Sequence, residues 1–74
     1  MIFGRRLFTK RKKSKLSAEK LAMACGISRS YVTLIENGKR LPSKKVLPKI
    51  AEALDVKTSE VISWYLDTLR ARLK

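Results

Sequence analysis

Histidine is absent from this 74-residue chain, and cysteine occurs once. Without histidine, the commonest general base and metal ligand is missing. A single cysteine excludes an internal disulfide and leaves no thiolate cluster for a metal. Cys25 falls on the apolar face of an expected helix and reads as a small core residue, with a redox role as the alternative. No nucleophile–base pair, metal-ligand spacing or phosphate-cradling loop is present, so neither catalysis nor a cofactor is expected. No apolar run approaches the roughly 18 residues of a membrane span. The N-terminus lacks the apolar core of a signal peptide. These absences lead to the expectation of a soluble protein in a reducing compartment, the cytoplasm, with no membrane partner. β-signals, repeats, low-complexity tracts and domain-dividing linkers are also lacking, so residues 1–74 read as one small, all-α domain with a modest core, open to stabilisation by a partner chain.

Acidic residues are scarce too. Six Asp and Glu face 18 Lys and Arg, a net charge of +12. Such a balance draws a chain toward a polyanion, most simply nucleic acid. A surface made basic only for solubility is the plainer alternative, but the charge is unevenly placed. Residues 1–18 hold seven basic groups and no acid, whereas Glu52, Asp55, Glu60 and Asp67 lie in the last 23 residues. Aromatic side chains are too few to form a stacking platform, which argues against single-stranded targets.

What is present is organised around residues 17–38, SAEKLAMACGISRSYVTLIENG. Ser17 and Ser28 are each placed to cap a helix N-terminus. Leu21, Ala22 and Cys25 share one face of the first helix, and Ile27, Val32 and Ile35 supply the surface opposite. Ala22 is small where the helices cross. Gly26 stands where the chain leaves the first helix, a position that favours the left-handed conformation. Two short helices joined this way form a helix-turn-helix, whose second helix commonly enters the major groove of DNA.

A helix over 2–13 is expected to precede this unit, with Ile2 (or Phe3), Leu7 and Arg11 near helical spacing and Phe8 supporting the inner stripe. Its KRKK run at 10–13 reads as a solvated face turned toward phosphate; a nuclear address, a flexible arm and a membrane-surface helix are the alternatives. Gly38 is a good residue to end the second motif helix, and Lys39–Pro42 form a basic loop. Ser43 is expected to cap a helix over 44–54, with Val46, Leu47, Ile50, Ala51 and Leu54 inward and Pro48 tolerated near its first turn. Thr58 or Ser59 caps a last helix over 59–73. There Ile62, Leu66, Leu69 and Leu73 repeat at spacings of four, three and four, and Val61, Trp64 and Tyr65 widen the apolar surface. Either this helix only closes the core, or its surplus apolar face, including Tyr65, is a self-association surface.

The chain resembles the Cro/repressor-type helix-turn-helix regulators, the xenobiotic-response-element-like group of bacteria and phages. The resemblance rests on Leu7 and Arg11, LSAEKLA at 16–22, CGISRSYV at 25–32, IENGKR at 35–40, Ser43 and VLPKIAEALDV at 46–56, about 55 of the 74 residues. It implies a compact five-helix, lambda-repressor-like domain that binds duplex DNA, generally as a two-fold dimer on a palindromic operator. Position by position, it makes Arg29, Ser30, Thr33 and Leu34 base-facing, and Ser17, Tyr31, Asn37, Gly38 and Lys39 phosphate-facing. It also matches Arg11 and Glu36 to a largely buried ion pair. The chain departs from the family at Ala18, where a phosphate-binding Gln is frequent, and at Leu34, a position that is frequently polar.

Chemistry adds detail to these roles. Arg29 can give two parallel N–H bonds to guanine, or contact phosphate instead. Ser30 can bond to several base edges and specifies little alone. Leu34 can pack on a thymine methyl, or be an exposed or protein-facing leucine. Tyr31 can donate to phosphate or pack on the neighbouring helix. Arg40, Lys44 and Lys45 extend the phosphate set, with help from Lys10–Lys15 and the helix N-termini at 18–20 and 44–46. Glu36 would repel phosphate unless paired, and Arg11 removes that conflict. The expected function is a dimeric, sequence-specific transcriptional regulator, most simply a repressor. An antitoxin-like or scaffold protein that uses the fold to bind another protein is the competing reading, with the fifth helix as its docking face. Phage, plasmid, restriction-modification and antitoxin-type regulators are not separable at this level.

Overall fold

Four helix ends in this chain are closed by one backbone device. After each, the next N–H but one reaches back to a carbonyl five residues earlier: Leu16 to Arg11, Ile27 to Ala22, Lys39 to Leu34 and Val56 to Ala51. Each closure needs a left-handed residue just before the donor. Gly26 and Gly38 supply it cheaply at φ 68° and 76°, and Lys15 and Asp55 adopt it at φ 56° despite their side chains. The computed structural model, which describes residues 2–73, accordingly has five helices: α1 Ile2–Lys13, α2 Ala18–Cys25, α3 Arg29–Glu36, α4 Leu47–Leu54 and α5 Thr58–Arg72. No strand occurs among the described residues.

The two serine caps form as the sequence predicts. Ser17 Oγ accepts from the Lys20 N–H and Ser28 Oγ from the Tyr31 N–H, both at 3.0 Å. The other two predicted caps do not form. Residues 44–46 are a separate turn, α4 starts at Leu47, and its N-cap is Val46 without a side-chain bond. Pro48 therefore stands in the first turn of α4, where its missing N–H costs little. Lys57, not Thr58 or Ser59, occupies the N-cap of α5, again without a side-chain bond.

Each helix packs against two others: α1 on α3 and α5, α2 on α3 and α4, and α4 on α5. The five close a ring around Phe3, Leu7, Leu21, Val32, Ile35, Ile50, Val61 and their buried neighbours. Cys25 is buried in this core, where loss of solvation pushes its thiol pKa up against the partial pull of Lys49. Phe8 does not join the inner stripe. The residue is 44% exposed, and its ring lies under the Arg11 and Lys12 cations at 5.5 and 5.7 Å.

Two contacts lock α1 in place. Gly4 is buried against the end of α3, so closely that a Cβ there would fall 2.3 Å from the Ile35 carbonyl oxygen. Thr68 of α5 is also buried. Its Oγ1 accepts from the Phe3 N–H at 2.9 Å and donates to the Trp64 carbonyl at 3.0 Å. An otherwise unpartnered donor in the first turn of α1 is thus satisfied from another helix. Phe3 and Trp64 meet edge to face beside this bond.

Candidate nucleic-acid interface

The inner face of α3 carries Val32 and Ile35, both buried in the core. Helical spacing then leaves Arg29, Ser30, Thr33, Leu34 and Asn37 exposed on the opposite side. Arg29 and Ser30 occupy the first turn, and Thr33 and Leu34 stand about 6 Å further along the axis. Thr33 Oγ1 donates to the Arg29 carbonyl at 3.2 Å.

A basic cleft opens at the start of α3. It is lined by Arg11, Lys12, Lys15, Leu16, Ser17, Ala18 and Arg29. The end of α1, the start of α2 and the start of α3 meet there. The first-turn N–H groups of α2 lack intrahelical partners, and the positive end of its dipole favours an anion. Ala18 provides no side-chain donor, but cations from α1 and α3 converge on the same space.

Beneath the cleft, Arg11 and Glu36 form a two-pronged ion pair. Arg11 Nε donates to Glu36 Oε2 at 2.6 Å, and Nη2 donates to Oε1 at 3.0 Å. Their side chains are 10% and 8% exposed. The third arm, Nη1, donates to the Leu16 carbonyl at 2.9 Å and fastens the α1–α2 turn. The bond to Glu36 raises the Arg11 pKa above its ordinary value, outweighing the opposite effect of burial. The only acid of α3 is therefore neutralised from within the protein.

Two residues that the resemblance makes phosphate-facing, Tyr31 of α3 and Gly38 just past it, hold bonds within the protein. Tyr31 is half-buried, and its hydroxyl accepts from the Ser43 N–H at 3.3 Å and donates to the Leu41 carbonyl at 3.5 Å. The Arg40 guanidinium lies 5.3 Å from its ring. Tyr31 thus ties the 39–45 loop to α3. Gly38 has no side chain, and its N–H is engaged by the Ile35 carbonyl at 3.1 Å. Its part is the left-handed turn. Asn37, Lys39, Arg40 and Lys45 stay exposed around the loop. Lys44 is exposed as well and borders a groove between α4 and α5.

That groove is apolar and runs between α4 and α5, lined by Lys44, Leu47, Pro48, Ile62, Tyr65 and Leu66. The inward side of α5 is Val61, Trp64 and Thr68. Ile62 and Leu66 point out, 40% and 42% exposed, while Tyr65 and Leu69 are half-buried and Leu73 is exposed.

One cation near α3 goes beyond the sequence reading. Arg5 shares a shallow recess with Phe8, Thr9, Glu36 and Asn37. Spacing of four aligns Arg5 with Thr9, and seven with Lys12, but only the Gly4 crossing brings that stripe beside Asn37.

Residues 7–61 match the helix-turn-helix family model. The ImmF control region 10 kDa protein of Bacillus phage phi105 is 50% identical over 42 residues, 57% of this chain; the chain spans about half of that protein, 47% of its length. The restriction-modification controller protein C.AhdI from Aeromonas hydrophila is 42% identical, with a TM-score of 0.74 over 80% of this chain and 89% of that one. SinR, the master regulator for biofilm formation, solved in complex with DNA, is 31% identical, with a TM-score of 0.73 over 81% and 97%. No helix among the described residues is long and apolar enough to cross a membrane. The chain belongs to the Cro/C1-type helix-turn-helix family of DNA-binding transcriptional regulators.

Proposed function

We propose that the protein is a dimeric repressor that reads a palindromic operator with α3 in the major groove. The observation that carries this reading is the pairing of an exposed, acid-free α3 face with a basic cleft at its N-terminal end. Arg29, Ser30, Thr33 and Leu34 face the base edges. Ser17, Asn37, Lys39, Arg40 and Lys45 engage phosphate, with Lys12, Lys15 and the start of α2. Lys44 adds to this field from the edge of the apolar groove. Tyr31 and Gly38 set the shape of the loop. Phosphate contacts position the domain, and base contacts choose the sequence.

Two α3 helices must lie about one helical turn of DNA apart to engage a palindrome. The outward stripe Ile62, Tyr65, Leu66, Leu69 and Leu73 is the surface on which a second copy docks. The protein acts by binding rather than catalysis, in the cytoplasm of a bacterial cell, as a chromosomal, phage or mobile-element regulator. Selection of bound duplexes from a random pool, with the mass of each complex measured in parallel, tests the proposal. A palindromic site carrying two chains is the expected result. Equal binding to all duplexes at moderate salt would overturn it.

A further inference from the structure

We infer that the second turn of α3 is a reader of 5-methylpyrimidines, built from Thr33 and Leu34. The inference rests on the major-groove reading of α3 and adds the chemical group that this turn selects. Thr33 has one hydroxyl proton, and that proton is held by the Arg29 carbonyl at 3.2 Å. Its side chain therefore offers no donor to a base, and its methyl group becomes its useful surface. Leu34, adjacent on the same exposed turn, has only hydrocarbon to offer.

The only major-groove base group that prefers hydrocarbon is the C5 methyl of thymine, or the same methyl on 5-methylcytosine. An acceptor edge placed against Thr33 and Leu34 would lose water and gain no bond, and a donor edge would find only the Thr33 oxygen to accept it. The first turn works in the opposite way, since Arg29 and Ser30 present hydrogen-bonding groups. The turns are about 6 Å apart along the axis, which spans one to two base steps in the groove. The half-site should therefore combine a hydrogen-bonded base, guanine where Arg29 reads it, with a methylated pyrimidine one or two steps away.

The test uses the full chain and the operator recovered by selection. Each thymine of the half-site is replaced in turn by deoxyuridine, which removes the methyl and keeps the pairing edge. At one or two thymines, affinity falls about fourfold per methyl removed. A C·G pair at that position binds more weakly than the same pair carrying 5-methylcytosine. Leu34→Ala shrinks the deoxyuridine penalty. Thr33→Ser shrinks it as well, whereas Thr33→Val, which keeps the methyl and drops the hydroxyl, preserves it. Both residues are exposed, and circular dichroism confirms that each variant is folded. A defined operator that binds equally well with deoxyuridine at every thymine overturns this inference alone. A penalty unchanged in both Leu34→Ala and Thr33→Ser also overturns it. A pool that yields no preferred sequence overturns the base-reading function and this inference together.

Discussion

Glu36 shows how one residue can serve affinity by being hidden. An acid on α3 would repel the phosphates that this helix must approach. Its bonds to Arg11 at 2.6 and 3.0 Å remove that charge from the surface and tie α1 to α3. Removing one partner of a buried pair strands the other, at a cost of roughly 3 kcal/mol. Glu36→Ala should therefore lower the melting temperature markedly while leaving the ranking of DNA sequences unchanged. An unaltered melting curve would sink this account. Cys25 provides a second check at this scale. Its thiol ordinarily ionises near 9.0, and burial raises that value in the folded chain. From about pH 9 upward the unfolded chain loses a proton that the folded one keeps, so this contribution to stability is full below that pH and falls as pH rises. In urea unfolding at pH 7.5 and pH 10, wild type should lose more stability than Cys25→Ala. Equal losses would show that the thiol is not held in its neutral form.

At the scale of elements, the fold depends on where helices touch as well as on where they start. The caps of α2 and α3 were legible because Ser17, Gly26, Ser28 and Gly38 act on neighbouring backbone. The start of α4 was not, because nothing local distinguishes the 44–46 turn from a first helical turn. Thr68 and Gly4 were invisible for a similar reason: one satisfies a donor 65 residues away, and the other admits a crossing helix. Phe8 looked like core by its chemistry, but it lies just off the inner stripe and is covered by cations instead. Alanine is the better helix former at position 4 by about 1 kcal/mol. Even so, its methyl would strike the Ile35 and Glu36 carbonyls at 2.3 and 2.8 Å. Gly4→Ala should therefore destabilise the protein by about 1–3 kcal/mol, read by chemical denaturation. A gain in stability would mean that α1 can shift away from α3 without penalty.

At the scale of the whole molecule, charge and apolar surface separate. The cations Arg11, Lys12, Lys15 and Arg29 line the cleft at the start of α3, while the α4–α5 groove presents hydrocarbon bordered by Lys44. The sequence contained the signals for both, since the net charge of +12 and the leucine spacing of the last helix are plain in it. The leucine-spaced stripe, read from the sequence as the self-association face, is the one that leaves Ile62 and Leu66 exposed, while Val61 and Trp64 enter the core. Leu66→Glu places a charge in the proposed dimer surface at an exposed site. It should leave the monomer folded, reduce the mass measured by light scattering to one chain, and weaken operator binding by at least tenfold. A dimer that survives this change would place the self-association surface elsewhere.

The central claim is that α3 chooses the sequence while the surrounding cations supply affinity. Arg29 tests it best, because it both faces outward from α3 and lines the basic cleft. The measurement is the affinity of wild type and Arg29→Ala for the selected operator and for a shuffled duplex of the same composition, across a series of salt concentrations. If Arg29 reads guanine, the variant loses roughly 1–3 kcal/mol on the operator and much less on the shuffled duplex, so the ratio between them collapses. An equal loss on both duplexes, with a shallower salt dependence and an unchanged ratio, would make Arg29 a phosphate contact and contradict the account.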